Sequence, residues 1–392
     1  MAIEHELAFE WAHISYAENA RFSETYGFAG NQGAVNLEAI RILPVNVESR
    51  TLLVFMHPTS TLQLLPVPRA MARSGAHVLC AASRYAKNDS ALIMEKVLLD
   101  LGAHIAHARH VWGYDHIVLV GWSGGGSLAL FYQAQAECPT ITHTPAGDPV
   151  DIVGAGLIPA DALIFQAAHL SRPRLLAETI DPSVRDERNP DDRDPTLDIY
   201  DPSNPEQPPY SAAFIARYRA AQMARMRRIT DWTKRMLATL EERGGGEMER
   251  GFVVHRTLAD PRFLDGALEP NDRRIGWCYM GNPETVNSGP VGLARFCTLR
   301  SWLSQWSIDD SAADGLACAR TMRAPLLVIE NSADDAVPAA HPRELFDAAG
   351  SPDKQFHVIQ GATHYYAGQP DHLAQATGLI LGWLADRALV EA

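Results

Sequence analysis

The chain has 392 residues, 46% hydrophobic and 21% charged, with a formal net charge of −13, the balance of a globular protein with a large core. The negative excess argues against general binding to nucleic acid or to anionic membrane surfaces, and no apolar run reaches the length of a membrane span. Five scattered cysteines (Cys80, Cys138, Cys278, Cys297, Cys318) lack metal-ligand spacing, and residues 1–7 lack the segments of a signal peptide, so reduced thiols and a cytoplasmic location are expected.

Residues 1–50 read as short strands and turns. Alternation over 36–43 predicts an edge strand paired with one near 7–11. Residues 51–56 are apolar throughout, as a strand buried on both faces is, and end in His57-Pro58-Thr59-Ser60. A short helical stretch through Met71 leads to a second such strand over 76–82. Asn88-Asp89-Ser90 supplies the start signal for a long helix from about Ser90 to Val111. Its His104, His107 and His110 lie at i, i+3 and i+6, which reads as a solvated surface row rather than a metal site.

A third apolar strand, 116–120, runs through Gly121-Trp122-Ser123-Gly124-Gly125 into a helix. A buried strand entering a helix through Gly-x-Ser-x-Gly is the setting of a nucleophile elbow. Side chains at 121 and 125 would collide with neighbouring backbone, and the helix N-terminus favours negative charge beside Ser123. The pattern repeats at 162–167, and strands alternating with helices imply an α/β protein with a mostly parallel sheet and right-handed crossovers.

The pattern changes near Ser171. Residues 181–209 are crowded with Asp and Pro and read as irregular, solvated chain. A long helix from Ala212 to about Glu242 carries apolar residues at helical spacing and a basic face (Arg217, Arg225, Arg228, Arg235) expected to be solvated. Gly244-Gly245-Gly246 ends it, and another helix is expected from Val291 to Trp306. Apolar strands return at 324–330 and 355–359, followed by loops containing Asp334-Asp335 and His364-Tyr365-Tyr366, and a helix over about 372–387 closes the chain.

Ser123 needs a base to take its proton, and His364 in the last loop fits that role, with Asp334 holding its tautomer. The chain order Ser, Asp, His and the position of each beyond a strand's carboxyl end agree with α/β-hydrolases. On these motifs, residues 1–170 and 307–392 resemble the α/β-hydrolase superfamily, with 171–306 resembling its inserted cap. The resemblance implies an oxyanion hole made by the amides of Gly124 and Thr59, with Ser60 the neighbouring candidate. Pro58 stands where the family has glycine and removes one N–H. The family's turn before Val-Pro favours Asp334 over Asp335 as the acid, leaving Asp335 to brace the turn. Trp122, Ser60 and Tyr365 are expected at the substrate.

The sequence thus reads as a serine esterase acting on a small-molecule substrate. No cofactor motif is present: Gly124-Gly125-Gly126 lacks both the dinucleotide fingerprint and a P-loop lysine. Thioester, amide or carbon–carbon hydrolysis on the same triad stays open, as do a non-catalytic small-molecule binder and a homodimer.

Overall fold

A computed structural model describes residues 4–18 and 34–390. The chain opens with two long strands, β1 (Leu7–Ala17) and β2 (Ala34–Pro44), which pair antiparallel along their whole length. A strand–helix alternation follows: β3 (Thr51–Met56), α1 (Pro66–Arg73), β4 (His77–Ala81), α2 (Met94–His110), β5 (His116–Ser123), α3 (Gly124–Glu137) and β6 (Ala162–Ala168). The chain then leaves the sheet for α4 (Arg172–Thr179), a short hairpin of β7 (Val184–Asp186) and β8 (Asn189–Arg193), the long α5 (Ala212–Arg243), β9 (Gly251–Val253), α6 (Pro283–Ser288), β10 (Phe296–Thr298), α7 (Leu299–Gln305) and α8 (Gly315–Thr321). It returns through β11 (Leu326–Asn331), α9 (Ala340–Ala348), β12 (Lys354–Ile359) and α10 (Pro370–Ala385).

Eight strands form one sheet in the order β1-β2-β4-β3-β5-β6-β11-β12, antiparallel only at the two pairings made by β2. Every residue of β3, β6 and β11 is buried, because helices cover both faces. The period of two divides the core. Leu52, Val54, Ile117 and Leu119 pack towards α2 and α3 with Leu98 and Leu128, while Leu53, Phe55, Val118 and Val120 pack towards α1 and α10 with Met71 and Ile380. The fold is a mostly parallel α/β sheet flanked by helices, as the sequence implied.

Several local expectations change. The long helix starts at Met94 rather than Ser90, because Asn88 Oδ1 accepts from the backbone N–H and hydroxyl of Ser90 and forms a turn instead. His104 is fully buried, with its Nε2 bonded to the Ala82 carbonyl, and is no solvated residue. The helix expected over 291–306 is confined to α7, with β10 ahead of it. The Asp/Pro-rich stretch is not simply solvated chain, since Asp181 and Asp198 are buried as partners of Arg256. The basic face of α5 is broken by Arg225, whose side chain is entirely buried against Glu187. Among the described residues no helix is long and apolar enough to cross a membrane.

Candidate active site

β5 ends at Ser123, which takes φ 53° and ψ −125°, a conformation that L-residues avoid and that costs on the order of 1–3 kcal/mol. The sharp turn is possible because its flanks lack side chains. A Cβ on Gly121 would stand 2.6 Å from Gly126 Cα, and one on Gly125 would stand 2.4 Å from the Met56 carbonyl oxygen. Ser123 Oγ makes no capping bond to α3, so the hydroxyl is not consumed by the helix that starts behind it. The first N–H groups of that helix have no partner within it and place partial positive charge at the same spot.

Asp334 and His364 follow the carboxyl ends of β11 and β12. His364 Nδ1 and Asp334 Oδ2 are 2.9 Å apart, and both residues are buried. The other carboxylate oxygen, Oδ1, accepts from the backbone amides of Ala336 and Val337 at 2.8 Å each. Those amides fix the carboxylate so that Oδ2 faces Nδ1, and the ring tautomer that donates from Nδ1 leaves Nε2 as the acceptor nitrogen. Asp334 therefore meets the histidine and braces its own turn. Asp335, expected to cap or brace the turn, accepts from the Tyr279 N–H through its backbone carbonyl, while its side-chain Oδ1 is buried without a partner. Burial first, and then the Asp334 charge, push the Asp335 carboxyl up to about 6.

Further bonds tie these loops to the elbow. Trp122 Nε1 donates to the His364 carbonyl at 3.2 Å, and the indole lies 4.6 Å from the imidazole and 5.4 Å from the Tyr365 ring. Asn331 Nδ2 donates to the Thr363 carbonyl, and Tyr366 Oη bridges Asn331 and Gln166. Among the described residues no hydrogen bond joins Ser123 Oγ to His364.

The turn after β3 differs from the expectation. The N–H groups of both Thr59 and Ser60 donate to His57 Nδ1, at 3.1 and 2.9 Å. Neither amide is free, and the Thr59 hydroxyl is bonded to the Tyr85 carbonyl. Pro58 offers no N–H and fixes its own φ, which turns the next two amides back onto the preceding ring. The His57 imidazole in turn lies against Gly124, where a Cβ would approach Nε2 to 2.6 Å. Burial, aided by the charges of Arg172 and His364, pushes the His57 ring down to about 3, so it is neutral.

The structure thus gathers Ser123, Gly124, Trp122, Asp334, His364 and Tyr365, and brings Thr59 and Ser60 near with their amides engaged. It also brings in residues that the sequence did not single out. The backbone N–H of His169 donates to the Ser123 carbonyl, and the buried ring Nδ1 has no partner. Arg172 is buried, bonds Asp89 at 2.7 Å and lies 4.3 Å from the Trp306 ring. Their signal was positional, since both follow the carboxyl end of β6. Tyr279, from the segment between β6 and β11, lies 6.4 Å from the His364 ring. By contrast, a cavity of about 870 Å³ lined by Arg50, Thr51 and His116 lies at the opposite, amino-terminal ends of β3 and β5.

No family model matches the chain, and no curated protein matches it in sequence. Solved structures do. The α/β hydrolase GrgF from Penicillium sp. sh18 superposes with a TM-score of 0.51 at 10% identity, covering 96% of this chain and 98% of that one. DcsB, solved in complex with a substrate analogue, gives 0.50 at 12% identity, covering 97% and 99%. Likeness at this identity establishes the fold.

Proposed function

Taking the α/β-hydrolase fold as the premise, we propose that the chain is a serine hydrolase that cleaves a small-molecule carboxylic ester through an acyl-enzyme. Ser123 Oγ attacks the ester carbonyl carbon while His364 Nε2 takes the hydroxyl proton. The carbonyl electron pair moves to oxygen, and the resulting oxyanion lies at the Gly124 N–H, at the start of α3. Collapse expels the alcohol, which receives the proton from His364. Water then repeats the sequence on the acyl-enzyme, releasing the acid and freeing Ser123. Asp334 keeps the imidazole in the tautomer that leaves Nε2 basic and stabilises the imidazolium between steps.

One observation carries this reading. A histidine is bonded to a carboxylate that two backbone amides hold in place, on loops tied to a serine held at positive φ where a helix begins. The reading includes residues 171–306 as a cap over the site, supported by the approach of Tyr279 to His364. It also includes a cytoplasmic location, supported by five free cysteines, four of them buried. Turnover of a panel of p-nitrophenyl esters, thioesters and anilides, with and without Ser123→Ala, tests it. Ester cleavage that disappears in the folded variant is expected. Cleavage that persists in Ser123→Ala, or none in the wild type, overturns it in favour of other chemistry or of binding without turnover.

A further inference from the structure

The turn after β3 leaves the proposed oxyanion hole one donor short. Gly124 supplies a backbone N–H, but the amides expected to complete the hole, those of Thr59 and Ser60, both donate to His57 Nδ1. An imidazole nitrogen that accepts two N–H groups carries no proton, so a neutral ring carries its proton on the other nitrogen. Nε2 is therefore an N–H donor. Among the described residues it has no acceptor, and it lies against Gly124, the residue that follows the nucleophile. The Trp122 indole, 6.5 Å away, and buried surroundings hold the ring in place.

We propose that the His57 side chain is a catalytic residue: its Nε2–H is the second oxyanion donor, replacing the backbone amide that Pro58 has turned away. This rests on the serine-hydrolase reading and extends it. During attack the Ser123 Oγ–carbon bond forms, the carbonyl electron pair moves onto oxygen, and the serine proton goes to His364. His57 donates a hydrogen bond to that oxygen and keeps its proton throughout. Its neutrality suits the task. A protonated ring could not accept from the Thr59 and Ser60 amides, and burial holds the ring neutral across the range in which a serine hydrolase operates. Gly124 is part of the same arrangement, because any side chain there would occupy the place of the imidazole.

Two substitutions separate a donor from a scaffold. In His57→Asn the amide oxygen can take over the bonds from Thr59 and Ser60, but nothing reaches Gly124. In His57→Gln an amide N–H can reach Gly124 while the turn loses its acceptor. The readouts are kcat and KM on a p-nitrophenyl ester, and the inhibition constant of an alkyl trifluoromethyl ketone, which forms a tetrahedral adduct on the serine. For His57→Asn, kcat should fall about 10²- to 10³-fold, the cost of losing one such donor, with KM within a few-fold and ketone affinity falling in parallel. His57→Gln should recover part of both losses.

A measurement on the wild type needs no variant. Nitrogen NMR of the ketone adduct should show His57 protonated at Nε2 only, with that proton shifted downfield on adduct formation. An Nε2 without a proton, or His57→Asn within three-fold of wild type in kcat and ketone affinity, overturns the proposal. Failure of the underlying reading is distinct: wild-type protein would then neither cleave the ester nor bind the ketone, and His57 variants would have nothing to change.

Discussion

The sheet and the segment inserted between β6 and β11 are held together in opposite ways. In the sheet, β3, β6 and β11 are buried along their whole length, and their cohesion is that of apolar side chains removed from water. The insertion has apolar clusters of its own, but its long helix is fastened by a buried guanidinium. Arg225 donates to both carboxylate oxygens of Glu187 and to the carbonyls of Asp181, His255 and Arg256. Arg256 in turn bonds Asp181 and Asp198, and Arg262 bonds Asp260 and Glu178. An apolar core tolerates changes of partner, whereas a buried ion network specifies one arrangement and loses heavily when one member is removed.

If the chemistry belongs to the sheet edge and the insertion only covers it, the largest effect falls on the loops after β11 and β12. Asp334→Asn should lower kcat about 10⁴-fold, since an amide favours the wrong histidine tautomer. Asp335→Asn should cost far less, and Tyr279→Ala in the insertion should act mainly on KM. Steady-state kinetics of the three variants checks this ranking, and a crippled Asp335→Asn would move the acid by one residue.

Next in size is the insertion itself. Arg225→Ala removes a buried donor shared by Glu187 and three carbonyls and should cost about 3–5 kcal/mol. Calorimetry should show a separate, earlier transition for the insertion. A single transition shifted as a whole would mean that the two regions unfold together. The result also bears on proteolysis: the Asp/Pro-rich stretch is tied down by this network, so nicking there should become fast only in the variant.

At the seam of the two regions lies Glu95 of α2, fully buried, accepting from Ser304 of α7, with its Oε1 unpartnered. Burial pushes its carboxyl up to about 7. Because the folded state holds this proton more tightly than the unfolded chain, stability falls as pH rises from about 4.5 to about 7, and the loss is then complete. It amounts to about 3 kcal/mol by the usual 1.4 kcal/mol per pKa step. Glu95→Gln should remove most of it, so urea midpoints of variant and wild type should diverge between pH 5 and pH 7 in the variant's favour. Parallel midpoints across that range would contradict the assignment. The smallest effect belongs to the sheet: Ile329→Val, in a fully buried strand, should cost only about 0.5–1.5 kcal/mol in the same assay.

The same contrast explains what the sequence revealed. Apolar runs such as 51–56 and 326–331 announce buried strands because every position faces the core, and Gly121, Ser123 and Gly125 announce a turn that only small flanking residues permit. The order of Ser123, Asp334 and His364 was legible for the same reason, each residue following a strand that could be recognised. Arg225, Asp181 and Arg256 were not legible, since a charge in a sequence does not name its partner across 44 or 75 residues. The fate of the Thr59 amide was hidden likewise, because it depends on where the His57 ring turns. The burial of His104 is likewise hidden, because the helical spacing of α2 does not show the Ala82 carbonyl that its Nε2 meets.

The central claim is that Ser123 is a nucleophile activated by His364. Its most direct test is intact-mass and peptide-mapping analysis of the protein after reaction with a fluorophosphonate. A single adduct per chain, located on Ser123, is expected, with loss of ester turnover in proportion to labelling. Ser123→Ala should form no adduct, and His364→Ala should be labelled much more slowly. An adduct on another residue, or a wild-type protein that cleaves esters at full rate with Ser123 modified, would contradict it.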